Sequence, residues 1–384
     1  MKKFVLFITL YACTCSATFA QSLTGPGVLN GGDSLNTITT AVPFLRIPPD
    51  ARSAAMGDAG LALSPDANAI YWNAAKLAFI ENTSGISLTY TPWLRGLTND
   101  IYLLNASGFY KFAKNQAIAA SLTYFSLGNI QFTDLTGASI GQSRPNEFSF
   151  NFAYARGLSR YLSTGLAIKI LRSDLASGQT AIGGGVIKAG VGASADVSVF
   201  YKKPMRQDID NLAVAATISN LGSKISYTDD NLTRDFQPAN IGIGAAYTHR
   251  PNSHHEITGT IDINKLIVPT PTTDADNNNI IDSREKPIIS GMIGSFSDAP
   301  NGSKEEFREL MYSIGAEYVY DKQFSLRAGY YSEHATKGNR KFMTLGAGFR
   351  FKIMNINLAY LVPTNGVNSP LANTFRISLL FDFE

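Results

Sequence analysis

The sequence predicts an all-β protein, a 14-stranded antiparallel transmembrane β-barrel with an N-terminal plug segment, and three observations carry that reading. From residue 86 onward, apolar and polar residues alternate with a period of two in fourteen separate runs, the spacing that makes one strand face apolar and the other polar. The connections between the runs alternate long and short, the asymmetry of an outer-membrane barrel, which a soluble sandwich has no reason to show. The composition is 45% hydrophobic but only 16% charged, against about 25% charged in an ordinary soluble domain. Outside the N-terminus no stretch approaches the ~18 apolar residues of a spanning helix, which excludes a polytopic helical protein. The glycines and charged residues follow no fixed period, so collagen-like and coiled-coil chains are excluded. A net charge of +3 is too mild for a nucleic-acid partner.

Taken in order, residues 1–20 show Lys2 and Lys3, an apolar stretch Phe4 to Ala12 and small residues ending in Thr18-Phe19-Ala20, the pattern of an export signal. Cys13 and Cys15 both lie inside it, so cleavage after Ala20 leaves a mature chain without cysteine. A rival reading takes Leu10-Tyr11-Ala12-Cys13 as a lipoprotein box, which the bulky Tyr11 fits poorly. Residues 21–85 do not alternate. They form an N-terminal extension and plug, or hatch, in which Pro65-Asp66 and the alanines after it read as short helix starts. The segment is too short and polar for a separate domain and fits inside a barrel.

Residues 86–384 form the barrel. Its alternating runs lie near 86–90, 101–112, 117–125, 147–155, 164–172, 190–200, 211–219, 240–248, 255–263, 311–320 and 323–331. Three more carry Leu345 to Phe351, Ile356 to Val362 and Phe375 to Phe383 on their apolar faces. Long or medium connections (91–100, 126–146, 173–189, 220–239, 264–310, 332–341 and 363–372) follow odd strands, and shorter ones follow most even strands. An even strand number then puts both termini on the periplasmic side and the long loops outside the cell. The apolar faces draw on 23 Phe and 17 Tyr against 2 Trp, suited to lipid on one side and a polar lumen on the other. Phe383, followed by Glu384, resembles the aromatic ending of the last strand by which bacterial barrels are recognised for assembly.

The run LRIPPDARSAAMGDAGLAL followed by SPDANAIYWNAAKLAF, residues 45–79, resembles the start of the PorV/PorQ family of Bacteroidetes outer-membrane proteins. These are distant relatives of the FadL-type fourteen-stranded transport barrels, and the length is closer to the PorV branch. The plug motif so identified comprises Arg52, Met56, Gly57, Asp58 and Asn73. FadL relatives carry Asn-Pro-Ala in the hatch; here the triplet is Asn73-Ala74-Ala75, which keeps the asparagine and loses the proline. The resemblance implies a FadL-like fold in the outer membrane and a non-enzymatic role in the type IX secretion system, with no required cofactor. Its implied partners are the type IX translocon barrel, the C-terminal domains of secreted cargo, a surface sortase and outer-membrane lipid. Two alternatives are a FadL-type channel for hydrophobic small molecules and a lipid-modifying enzyme such as a lipopolysaccharide deacylase. The lost proline speaks against the first, and the lack of a nucleophile, base and orienter constellation against the second.

The longest connection holds DADNNNIIDSRE. As a twelve-residue calcium loop it places Asp274, Asp276 and Asn278 at positions 1, 3 and 5, the Ile280 carbonyl at 7, Asp282 at 9 and Glu285 at 12. Asn279 replaces the usual glycine at position 6, and Asn tolerates that left-handed turn better than most residues. The competing reading is a solvated acidic loop between prolines. His249, His254 and His255 at one short turn are a weaker metal candidate, with Glu256 the nearest carboxylate. Ser332, His334 and Asp321 could be imagined as hydrolase partners, but Ser332 and His334 fall in an outer loop and Asp321 at an inner turn, which speaks against a triad. Gly183-Gly184-Gly185 lacks the Lys-Ser/Thr of a phosphate loop.

Overall fold

A computed structural model of the chain describes residues 36–384 apart from 96–97, 134–135, 180–185, 207–208, 229–233, 272–281 and 366–373. The strands are β1 (Ser84–Pro92), β2 (Ile101–Ala113), β3 (Gln116–Leu127), β4 (Ile130–Thr133), β5 (Ser139–Ser143), β6 (Asn146–Gly157), β7 (Leu162–Asp174) and β8 (Gly190–Met205). They continue as β9 (Asp210–Gly222), β10 (Asn240–His249), β11 (His255–Leu266), β12 (Met311–Tyr320), β13 (Phe324–Ser332), β14 (Lys341–Phe351), β15 (Met354–Pro363) and β16 (Phe375–Phe383). Fourteen of them close into one antiparallel barrel in which β16 returns to β1, Ser84 facing Phe383. Closure satisfies the backbone of every strand within the wall, which a sheet in lipid requires. The pairing is continuous around the circumference, with register shifts only between β8 and β9 at Ala195/Val197 and at the foot of β2 and β3.

All fourteen predicted runs are barrel strands. The separate hairpin of β4 and β5 lies inside the connection between β3 and β6, where the alternation predicts no strand. Runs of four and five residues are too short for a period of two to stand out. The long and short connections fall at opposite ends as expected. The short turns join β2 to β3, β6 to β7, β8 to β9, β10 to β11, β12 to β13 and β14 to β15.

Side chains follow the alternation. On β7, Leu166, Ile168 and Ile170 point outward, each more than half exposed to the surroundings of the barrel, while Ala167, Lys169 and Leu171 are buried inside. Aromatic side chains gather at both rims. Tyr90, Tyr102 and Tyr124 pack in a tilted row near the long connections, and Phe112 with Tyr154 and Phe324 with Phe349 near the short turns. An apolar band between two aromatic girdles is the signature of a barrel in the outer membrane. No helix among the described residues is long and apolar enough to cross a membrane.

Phe349 stands two residues from the end of β14, within the lower girdle, and Leu345 is the outward residue nearer mid-strand. Leu345→Arg should therefore cost about 2–4 kcal/mol and Phe349→Arg only about 0–1. Denaturant unfolding in lipid vesicles measures both, and equal costs would contradict this depth assignment.

The start of β1 and the end of β16 share the short-turn end, as strand parity demands. The first described residue does not. Asn36 lies at the opposite mouth, where its N–H donates to the carbonyl of Thr336 between β13 and β14 (3.1 Å). Parity fixes only where the first strand begins; here the chain passes through the lumen before it reaches β1.

Candidate functional site: the plugged lumen and its lid

From Asn36 the chain crosses the long-connection mouth. Ile38 packs against the cluster of Leu266, Met311, Tyr331, Phe342 and Leu361, and Val42 and Phe44 against Leu103, Phe125, Leu171 and Ile225. The strand residues among these lie toward the long-connection ends of their strands, and Ile225 lies in the long connection between β9 and β10. A 3-10 turn at Pro43–Arg46 then leads into the short helix α1 (Ala51–Ala54), capped by Asp50, whose carboxylate accepts from the Ser53 N–H (2.7 Å) and from the Trp72 indole (2.6 Å). A second helix, α2 (Ala69–Trp72), and a 3-10 segment Ala74–Phe79 complete the plug. The chain reaches the short-turn end where Lys111 Nζ donates to the Ile80 carbonyl.

The five motif residues all lie in this plug, and each fixes it to itself or to the wall. Arg52 grips Glu317 of β12 with two nitrogens (3.1 and 2.8 Å) and also donates to the Ser64 carbonyl and hydroxyl. Glu317 accepts in turn from Arg327 of β13 (2.8 Å), whose other arm reaches Asn357 of β15 (2.8 Å). Planar guanidinium and carboxylate groups match in this forked geometry, so three strands and the plug share one buried network.

Met56 and Gly57 form the closest approach of the plug backbone to the wall. Gly57 has a left-handed φ of 71°, and its N–H donates to Thr344 Oγ1 of β14 (2.8 Å). The wall residues facing it are themselves glycines, Gly315 and Gly329. Asp58, also left-handed, is held 4.0 Å from Arg376 of β16, and burial pushes its carboxyl up to about 6. Asn73 caps the start of the 3-10 segment by accepting from the Ala75 N–H (3.0 Å) and donates to the Val199 carbonyl of β8 (3.0 Å). The asparagine thus performs both contacts without a following proline.

Sequence reasoning missed the wall side of these contacts. Asp262 of β11 accepts from the N–H groups of Gly60 and Leu61 (2.7 and 2.9 Å). Lys76, buried in the plug, donates to the Gly60 carbonyl (2.7 Å), and burial lowers its amine to about 8. A signal was available for the wall: Asp262, Glu317, Arg327 and Arg376 are charges in the polar register of strand interiors, where a buried charge demands a partner.

Above the plug a cavity of about 110 Å³ remains, lined by Arg46, Tyr71, Trp72, Asn220, Tyr331 and Arg340 among others. Over the mouth lies the connection between β11 and β12, which carries the helices α3 (Asp282–Glu285), α4 (Ile288–Gly294) and α5 (Ser303–Arg308). It is latched by buried ion pairs. Lys265 meets Glu306 (3.0 Å) and Glu309, and Lys337 meets Glu305 (2.6 Å) and Glu309 (2.9 Å). Asn36 joins through its side-chain amide to Glu305 (3.1 Å). On the outside of this lid Ile289, Ile293, Phe296 and Phe307 are exposed, Ile289 at 73% and Phe307 at 71%.

The remaining candidates separate. His249 pairs with Asp210, His254 with Asp321 and His255 with the Tyr318 hydroxyl, so the three rings serve different partners. Ser332 and His334 lie at the lid end and Asp321 at the short-turn end, where no hydrolase geometry can form. Of the calcium loop, Asp274, Asp276, Asn278 and Ile280 lie outside the described residues, as do Gly183, Gly184 and Gly185. Asp282 opens α3 and Glu285 closes it. Among the described residues no group of three or more His, Cys, Asp or Glu side chains is placed to hold a metal ion.

Closed wall, aromatic girdles and a fastened luminal plug together define an outer-membrane β-barrel of the plugged type. The chain belongs to the PorV family: the family model described as "Type IX secretion system protein PorV" matches residues 30–273. It is thereby an outer-membrane component of type IX secretion. Among solved structures the fold resembles the toluene transporter TbuX of Ralstonia pickettii, with TM-score 0.51 and 14% identity over 87% of this chain and 98% of that one. TodX of Pseudomonas putida, also a toluene transporter, aligns with TM-score 0.52 and 13% identity over 91% of this chain and 98% of that one. A FadL homologue of Pseudomonas aeruginosa aligns at TM-score 0.47 and 12% identity over 88% of this chain and 99% of that one. At these identities the likeness concerns fold alone. A comparison with curated proteins returns no match.

Proposed function

We propose that this barrel is a non-enzymatic acceptor for secreted proteins, binding their C-terminal signal domains at its outer loops, between the translocon barrel that delivers them and the surface sortase that attaches them. The long connections face the cell exterior and the short turns the periplasm. The observation that carries the reading is the lid, which presents Ile289, Ile293, Phe296 and Phe307 to water. Exposed apolar side chains clustered on one loop are the signature of a protein-binding surface. The lumen beneath is filled by a plug tied to the wall at many points, and the wall is continuous, which favours a binding surface over a conduit.

Deleting the gene should leave secreted proteins in the periplasm or unattached at the surface, and pulldown of the tagged barrel should recover cargo through its C-terminal domains. The double variant Ile289→Ser, Ile293→Ser should cut that recovery by about tenfold, a loss of ~1.4 kcal/mol, while the barrel stays folded. Normal secretion with failed uptake of a hydrophobic nutrient would establish the channel instead. Normal secretion and uptake with altered lipid A acylation would establish the enzyme.

We further propose that Asp274, Asp276, Asn278, the Ile280 carbonyl, Asp282 and Glu285 bind one calcium ion. Support comes from the oxygen spacing and from α3, which begins within the last third of the loop as a helix following a calcium loop does. Affinity need only be weak, about 10⁻⁴–10⁻³ M for an extracellular site. Calorimetry in millimolar calcium should register a binding heat that Glu285→Ala abolishes; identical traces for both proteins would leave only a solvated loop.

A further inference from the structure

One stretch of the outer wall is not filled by its own side chains. Where β1, β2, β3 and β6 run side by side, the outward residues at one level are Ile86, Gly108, Ala120 and Phe152, paired in that order across the sheet. Two large side chains flank two small ones, and a groove of about 330 Å³ lies between them. It extends toward the short turns past Ser84, Tyr110 and Ile118, and its lining side chains are apolar except for the hydroxyls of Ser84 and Tyr110. Below the groove the rings of Phe112 and Tyr154 stack, and the Tyr154 hydroxyl donates to Gln116 Oε1 (2.6 Å). Arg156 stands opposite Gln116 in register, and Lys114 lies in the adjoining β2–β3 turn. That turn is fastened to the end of β6, for the Gly157 N–H donates to the Asn115 carbonyl (2.8 Å) and the Asn115 amide to the Gly157 carbonyl (3.1 Å). Lys114 and Arg156 therefore flank one joint. Both are exposed, and neither forms an ion pair among the described residues. Elsewhere on this rim Arg250 meets Glu256 (2.6 Å) and Arg350 meets Asp382 (3.1 Å).

We infer that this face of the wall binds one anionic phospholipid from the leaflet at the short-turn end, with its phosphate between Lys114 and Arg156 and an acyl chain in the groove over Gly108 and Ala120. The spacing suits such a molecule. From Phe152 beside the groove to Arg156 is a rise of about 13 Å along β6 at ~3.3 Å per residue, or about 10 Å of depth for a strand tilted by about 40°. A leaflet's hydrocarbon half is about 15 Å thick, so cations at headgroup level place the groove among the acyl chains. Between the two lies the Phe112–Tyr154 stack, at the interfacial depth that aromatic rings favour. Charge decides the headgroup: two cations without carboxylate partners attract a net negative lipid, whereas a zwitterionic one brings its own ammonium to them. A protein wall docked here could fill the groove but would need a separate carboxylate at the rim, while a lipid supplies chain and phosphate in one molecule. With the short turns facing the periplasm, as the secretion reading has them, the leaflet is the periplasmic one; the site itself does not depend on that orientation.

Lipid titration of the purified barrel tests the inference. The protein is delipidated in mild detergent and titrated with phosphatidylglycerol or with phosphatidylcholine, and bound lipids are counted by native mass spectrometry. The first phosphatidylglycerol should bind about thirtyfold more tightly than the first phosphatidylcholine, the preference expected of two cations at one headgroup. The double variant Lys114→Gln, Arg156→Gln should lose that preference. Ala120→Phe, which fills the groove and leaves both cations in place, should weaken the binding of both lipids. Lys322→Gln, at the β12–β13 turn across the barrel, should change neither. These side chains lie on the outer wall or in turns, away from the plug, and circular dichroism matched to the unsubstituted protein confirms each fold. Equal affinity for the two lipids, or a preference that survives in the double variant, overturns the inference. So does Ala120→Phe with unaltered phosphatidylglycerol binding, and if that variant instead sheds a copurifying protein, the groove is a protein interface. The titration is made in detergent, so its failure leaves the secretion reading standing, and failure of the secretion tests leaves the lipid site standing.

Discussion

Glu317→Ala should destabilise the folded barrel by about 3–5 kcal/mol, because it leaves the guanidiniums of Arg52 and Arg327 buried beside each other without their shared carboxylate. Breaking one member of a buried ionic group costs far more than the pair contributes over an apolar replacement, since the stranded charge cannot be rehydrated in place. Arg52→Ala should cost less, for Arg327 still satisfies Glu317 through its Nε (2.8 Å) and keeps its own bond to Asn357. The two substitutions should also be non-additive, as expected of residues in one network. Unfolding of the four proteins of the cycle in lipid vesicles gives the coupling directly. Additive effects, or a loss at Glu317 no larger than at a surface carboxylate, would mean that the plug is not held by this network.

That network marks the boundary of what the sequence can reveal. The strands are legible because period two is local: Leu166, Ile168 and Ile170 announce a lipid face within five residues. The connection lengths are equally visible, and with them the end of the barrel at which β1 begins. Arg52 and Asn73 could be singled out as motif residues, but nothing near them in sequence says that Arg52 meets a side chain 265 positions away or that Asn73 reaches the carbonyl of Val199. Such pairings are set by barrel closure. The position of Asn36 was illegible for a different reason, since strand parity counts crossings of the wall and is blind to a crossing through the lumen. Glu317, Arg327, Asp262 and Arg376 were visible as charges in polar register. Only the plug shows what they are for.

Gly329→Val should unseat the plug. A Cβ at Gly329 would stand 2.1 Å from the Gly57 nitrogen and the Met56 carbonyl carbon, and both of those are backbone atoms that no rotamer change can move. The opposing side offers no relief, because Gly57 sits at φ 71° with its own Cβ position 2.6 Å from the Tyr330 backbone. Overpacking a core costs about 1–3 kcal/mol where side chains can shift. Here the whole Met56–Gly57 turn must withdraw, and Thr344 and Arg376 lose their partners Gly57 and Asp58. The strand pairs of the wall do not depend on the plug, so the barrel should still close while its lumen opens. The expected result is a rise in ion conductance across planar bilayers, and faster proteolysis between residues 43 and 80, relative to the unsubstituted protein. Gly259→Val is the matched control: it lies on β11 with open space around its Cβ position, and should leave both readouts unchanged. Wild-type conductance and proteolysis in Gly329→Val would show that the turn at Met56 and Gly57 yields, and that the seat of the plug lies in the Arg52 and Asp262 contacts instead.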